Sequence, residues 1–154
     1  MLPVPVEEAT RRVAIAAAGI RPGDIARWSH EGLDALPYVE LVGVVSRIAA
    51  LDVAGFGLEL PRFILPDAVP GAPAGVEVGG TEITTAWVPT VGPASAQSSL
   101  SAVAAEQDAL SEVMEALYIR FDEIADPGIE RDGLSRHQLE LVAARTSKLN
   151  ECFY

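Results

Sequence analysis

Cysteine is almost missing from this chain, and the position of the single one shapes every chemical reading of it. Cys152 is the only cysteine in 154 residues and stands third from the end. One cysteine excludes an internal disulfide and agrees with a reducing, cytoplasmic setting. Basic charge is scarce as well: 11 Lys and Arg face 22 Asp and Glu, a net charge of −11. That field repels phosphate backbones and anionic lipid surfaces, so neither nucleic acid nor a membrane is an expected partner. Long charge-free apolar runs are absent, which excludes a bilayer span. Arg11 and Arg12 ahead of an apolar stretch have the outline of a signal peptide. Glu7 and Glu8 precede them and the stretch is short, so the segment reads as an amphipathic first helix.

Other chemistry is excluded by what is not spaced correctly. The two histidines, His30 and His137, share no metal-ligand spacing with Cys152 or with carboxylates. No Gly-x-Ser-x-Gly or phosphate loop occurs, and Gly75, Gly79 and Gly80 do not form a dinucleotide fingerprint. No cofactor and no metal are expected.

What is present is enough apolar material for a core. The hydrophobic share is 49% and the mean hydropathy +0.25, which argues against disorder. A first helix is expected over residues 6–18, with Pro5 near its start and Gly19 past its end. Asp24 is placed to cap a short helix through Trp28, leaving His30 in a loop-like stretch. Pro37 opens a helix over residues 38–52, apolar or Gly apart from Glu40, Ser46, Arg47 and the terminal Asp52, which predicts burial all round. A salt bridge from Glu40 to Arg47 or another base is the plain account of that acid. Trp28, Phe56 and Trp87 read as packing anchors.

From Gly55 to Pro93 the composition changes: Pro61, Pro66, Pro70, Pro73, Pro89 and Pro93 mark a long connecting loop. Within it residues 76–87 suggest a small hairpin about Gly79 and Gly80. Helical spacing resumes over residues 101–125, where Val103, Leu110, Val113, Met114, Leu117, Tyr118, Phe121 and Ile124 form one stripe. Asp126-Pro127-Gly128 ends it. Ser135 with Gln138 makes a capping box for a last helix, with Leu139, Val142, Ala143, Thr146 and Leu149 as its buried side. Asn150 suits the left-handed residue at its end. The expected organisation is all-α: 1–56 as an N-terminal helical half, 57–100 as the Pro/Gly-rich connection, and 101–154 as the start of a C-terminal half.

The two halves echo each other. Glu40-Leu41-Val42 returns as Glu140-Leu141-Val142, and at the same offset Gly43 meets Ala143, Ser46 meets Thr146 and Asp52 meets Cys152. Duplication and chance both account for so short a periodic match.

The candidate chemical residues are Cys152 and Glu140. A thiol reacts as its thiolate, which a helix N-terminus favours, and a nearby carboxylate can move its proton. Glu140 precedes Cys152 by twelve residues, about 18 Å on a straight helix. It can serve Cys152 only where the helix ends near Asn150 and the chain turns. His137 falls in the first turn of that helix and is expected to be exposed.

Leu134-Ser135, Glu140-Leu141-Val142 and Leu149-Asn150-Glu151-Cys152-Phe153-Tyr154 together resemble the alkylhydroperoxidase D / carboxymuconolactone decarboxylase family. Its peroxidase branch carries Glu, eleven residues, Cys-x-x-Cys, three residues and His; Glu140 and Cys152 match the first two of these positions. The segment from Tyr38 to Arg47 is similar to the non-catalytic half of longer members. The resemblance implies an all-helical fold of two pseudo-repeated halves and a thiol-dependent alkyl hydroperoxide reductase acting on organic hydroperoxides. It also implies a dithiol or protein electron donor and a homo-oligomer. The second cysteine and the histidine have no counterparts in this chain, so the final helices of the fold are expected to be missing and the motif truncated. The alternatives are a cofactor-free lyase of the decarboxylase branch and a non-catalytic helical subunit acting through packing. The 154-residue chain is accordingly expected to show no turnover of an alkyl hydroperoxide with a dithiol donor in a coupled peroxidase assay. Sustained two-cysteine cycling would refute the truncation reading.

Overall fold

The computed structural model describes residues 2–67, 69, 71 and 76–151. It is mostly helical, in agreement with the all-α expectation. Among the described residues, five α-helices follow in order: α1 (Val4–Ala16), α2 (Pro22–His30), α3 (Ala35–Gly57), α4 (Ala104–Leu117) and α5 (Arg136–Leu149). Short strands pair antiparallel, β1 (Thr81–Glu82) with β2 (Thr90–Val91) and β3 (Glu130–Arg131) with β4 (Leu134–Ser135). Two compact units divide the chain, Met1–Leu110 and Ser111–Tyr154. Among the described residues no helix is long and apolar enough to cross a membrane.

In the first unit, α2 starts three residues earlier than expected because Pro22 occupies its first position, where a missing N–H costs nothing. Asp24 is therefore not the cap but the third helical residue, and its carboxylate accepts the Arg21 backbone N–H at 2.8 Å. His30 is the last residue of α2 rather than part of a loop. The core forms where α1, α2 and the start of α3 meet: Ala9, Ile20, Trp28, Leu33 and Tyr38. Trp28 is 1% exposed. Its ring lies 5.7 Å from that of Tyr38, with the guanidinium groups of Arg12 and Arg27 at 5.6 and 5.8 Å. Arg12 also binds Asp24 at 2.5 Å and the Gly19 carbonyl at 2.6 Å, while Arg27 binds both oxygens of Glu8 at 2.7 and 2.9 Å. These hydrogen bonds, from Arg27 and Arg12 respectively, hold the Glu8 and Asp24 carboxyls below their ordinary range. Burial pushes the Tyr38 phenol up to about 12.

α3 outruns the expected span by five residues, since nothing between Val53 and Gly57 breaks a helix and the next proline is Pro61. Burial all round is not what it shows. Tyr38, Val39 and Gly43 are buried, whereas Val44, Leu51, Val53 and Phe56 are exposed, Phe56 by 88%. An apolar circumference makes burial possible, but full burial is confined to the first turns, with α1 packed on α3 and Val39 packed with Leu100 and Val103. Phe56 and the half-exposed Trp87 are thus not packing anchors; Trp28 is. Arg47 pairs with Glu106 of α4, at 2.7 Å. Gly43 makes room for that carboxylate, since a Cβ there would overlap Glu106.

The hairpin about Gly79 and Gly80 is replaced by a longer-range pairing. Thr81 and Glu82 face Val91 and Thr90, and the Val78 N–H reaches back to the Ala102 carbonyl at 3.0 Å. α4 stops at Leu117 rather than near residue 125. Tyr118, Ile119 and Phe121 bring β-branched and aromatic residues that lose side-chain freedom in a helix, and Arg120 is extended with ψ 148°. This leaves Ile119 completely buried.

Within the second unit, β3 and β4 are joined by Asp132 and Gly133, both left-handed with φ 51° and 80°. That is the Asp-Gly signature of a two-residue hairpin turn. The capping box at the start of α5 is present: Gln138 Oε1 accepts the Ser135 backbone N–H at 2.9 Å and its hydroxyl at 3.1 Å. The expected buried side of α5 is absent. None of its residues is buried, and Val142, Thr146 and Leu149 are exposed.

Gly43 supplies a test with a sign change. Gly→Ala inside a helix gains about 0.5–1 kcal/mol, whereas forcing a group into occupied space costs about 1–3 kcal/mol. Gly43→Ala is expected to destabilise the native chain by about 1 kcal/mol and to stabilise it in a Glu106→Ala background. Urea midpoints of the four proteins in this double-mutant cycle give the answer.

Candidate functional site

Of the two candidate residues, Glu140 is described and Cys152 lies outside the described residues. Glu140 sits on α5, one turn after Arg136, and its carboxylate is half-exposed. Two groups hold it. The Tyr118 hydroxyl donates to Glu140 Oε1 at 2.7 Å, and Arg136 Nη2 lies 2.7 Å from the same oxygen. Tyr118 follows directly on α4, its backbone N–H still bonded to the Met114 carbonyl at 2.9 Å. α5 is set by the β3–β4 turn and the Ser135 cap, so the network rests on two separately fixed pieces of backbone.

The charge order on α5 works against helix stability. A cation in the first turn faces the positive end of the helix dipole, and an Arg before Glu at this spacing is the weaker orientation. Arg136 is nonetheless mostly buried, and among the described residues its Nη1 has no hydrogen-bond partner. The arrangement suits holding Glu140 better than it suits stabilising the helix. Burial first, and then the hydrogen bond to Glu140, raise the Tyr118 phenol above its ordinary value; Arg136 opposes this.

Sequence reasoning read Tyr118 as one more member of an apolar stripe and passed over Arg136. The signal for Arg136 was the i,i+4 spacing to Glu140; Tyr118 comes from 22 residues away and had no local signal. The glutamate of the earlier triplet, Glu40, is half-buried on α3. His137 is exposed on the first turn of α5, as expected.

The last helix closes near Asn150, as expected. α5 stops at Leu149, and the Asn150 backbone N–H and side-chain amide both donate to the Thr146 carbonyl at 3.0 Å. Asn150 itself is not left-handed, with φ −90° and ψ 7°. Glu151 takes that conformation instead, at φ 54°, one residue later than expected. The side chain of Asn150 is committed to its own helix, and the reversal passes to the next residue.

The chain was compared with family models, with curated proteins and with solved structures, and none matches.

The Tyr118 network makes a prediction with opposite signs for its two charged members. Glu140→Gln should lower the Tyr118 phenol pKa towards its ordinary value, and Arg136→Gln should raise it further. Phenolate absorbance titrations, with Tyr118→Phe as the subtraction control, resolve the two shifts; equal titrations in all three would rule the network out in solution.

Proposed function

We propose that the chain carries part of a thiol-dependent alkyl hydroperoxide reductase of the cytoplasm, built on an alkylhydroperoxidase D-like helical architecture. Glu140 is the proton acceptor and Cys152 one of its two working thiols. The observation that carries this reading is the anchored carboxylate on a helix whose end, at Leu149 and Glu151, comes immediately before Cys152. A proton acceptor must hold its place and stay accessible, and Glu140, gripped by Tyr118 and Arg136 yet half-exposed, meets both needs.

The chemistry consumes one hydroperoxide and two thiols. A thiolate attacks the terminal peroxide oxygen, the O–O bond breaks, and the alcohol leaves with a proton as a sulfenic acid forms. By resemblance Cys152 is the resolving thiol. It loses its proton towards Glu140 and attacks the sulfenic sulfur, expelling water and leaving a disulfide. A dithiol or protein donor then returns both sulfurs to thiols by exchange. The cycle needs two cysteines, and these 154 residues hold one.

Extending the chain after Tyr154 by a cysteine and, four residues further, a histidine completes the pattern and tests the reading. The extended chain should reduce an alkyl hydroperoxide with multiple turnovers in the presence of a dithiol. Glu140→Gln in that background should cut the rate about 100-fold or more, the scale of a lost general base. A completed motif that folds but stays silent, or one indifferent to Glu140, contradicts the assignment.

A further inference from the structure

Past the end of α3 the chain folds back on the helix and leaves a groove. The Leu60 N–H donates to the Gly55 carbonyl at 2.9 Å and the Glu59 N–H to the Phe56 carbonyl at 3.3 Å, the paired bonds of a Schellman turn. Pro61 follows, and residues 62–65 return along α3: Phe63 lines a cavity with Leu51, and Leu65 lines one with Ile48. The two adjoining cavities, of about 530 and 270 Å³, share Leu51, Asp52, Arg62 and Phe63. Between them they follow α3 from Ile48 to Leu58, roughly 15 Å at 1.5 Å per residue, or just under three turns. The walls are chiefly apolar; Phe56 in the wall and Ile64 next to it are exposed by 88% and 89%.

The charges along this segment select one kind of occupant. Over residues 51–67, Asp52, Glu59 and Asp67 are exposed against the single base Arg62. Among the described residues none of the four forms an ion pair. Asp52 belongs to both cavity walls. Glu59 sits in the turn itself with φ 55°, a left-handed position that favours Gly or Asn over a longer side chain. An acid is thus held beside the groove where the turn alone prefers none. This local excess adds to the −11 of the whole chain, so the field over the groove attracts cations and repels anions. An acidic segment or an anionic lipid is turned away, and a second copy sets the same acids opposite one another. A flat neutral bilayer does not fill a groove nearly three turns long.

We propose that this groove is a docking site for a basic amphipathic helix of another protein. Apolar residues at i, i+3 or i+4, and i+7 of that helix span about 10 Å and seat against Leu51, Phe56, Leu60 and Phe63. Lys or Arg side chains on its flanks face Asp52 and Glu59. The apolar contact supplies most of the affinity, and the charges set the sign of the partner and the rate of encounter. The site is independent of the thiol chemistry, since no residue of it belongs to the Glu140 network.

The probe is a fluorescent peptide of about four helical turns, with leucine along one face and lysine elsewhere. It is titrated with the full chain at physiological salt, which screens long-range attraction, and followed by anisotropy. One control peptide carries glutamate in place of every lysine; another has the lysine peptide's residues reordered so that the leucines scatter around the helix. The lysine peptide is expected to bind in the micromolar range, at least about tenfold more tightly than either control. Phe56→Ser should weaken it by about tenfold or more with an unchanged circular dichroism melt, because Phe56 is exposed. Glu59→Gly should weaken it about threefold while raising the melting temperature, since glycine suits the left-handed turn. Glu7→Gln, which removes one acid from α1, should leave the affinity unchanged. Equal binding of either control peptide overturns the proposal, as does binding indifferent to Phe56→Ser or weakened as much by Glu7→Gln as by Glu59→Gly. So does a chain that ignores the lysine peptide and instead self-associates through this face or binds neutral phosphatidylcholine vesicles.

Discussion

The first unit depends on one buried ring held between two cations. Trp28 is the point where three helices meet: α2 supplies the indole, α1 supplies Arg12 above it, and α3 supplies Tyr38 beside it. Burying so large a side chain is the main apolar gain available to a chain with few aromatics. Each guanidinium adds about 0.5–1 kcal/mol or more when it is drawn out of water. The same two arginines neutralise Glu8 and Asp24, which would otherwise crowd one another at the joint of α1 and α2. Removing either cation therefore loosens packing and leaves acids facing acids.

Scarcity of base explains why the arginines are placed as they are. With twice as many acids as bases, an arginine spent on one carboxylate is withheld from the others. Arg47 joins α3 to Glu106, Arg131 joins β3 to Glu123, and Arg136 grips Glu140. The first two link separate backbone segments, and the third lies within α5. At Arg136 the placement runs against the helix dipole, and it is there that a carboxylate is held in place yet open to solvent.

Helix existence was legible in the sequence because it is local. Pro5 and the Ser135–Gln138 box announce helix starts within one turn, whereas the same signal at Pro22 went unread. The helical class, the burial of Trp28 and the close of α5 near Asn150 followed from such signals. What failed was non-local. An apolar circumference on α3 could not reveal that only its first turns are fully buried. Gly79 and Gly80 gave no hint that Thr81 pairs with Val91 instead of with the strand just before it. The end of α4 at Leu117 goes with the burial of Ile119 and the extended backbone of Arg120. Of the network around Glu140, Arg136 lay within local reach through its i,i+4 spacing; Tyr118, the hydrogen-bond donor, reaches Glu140 from another segment and was not legible. The Asp132-Gly133 turn had a clear local signal that went unread.

The bridge between Arg47 and Glu106 spans 59 positions of sequence, and most of those positions belong to the proline-rich connection. A contact of that range is a statement about folding order and about evolvability. It rewards the chain only after the whole connection has been gathered in, so it belongs late in folding, behind the local helices. Once made, it is insensitive to how long the connection is, since doubling a flexible loop costs only about 0.6 kcal/mol. Beyond Leu65, where the cavity lining at the end of α3 stops, the stretch leading to β1 is accordingly free to lengthen or shorten while α3 and α4 stay clasped.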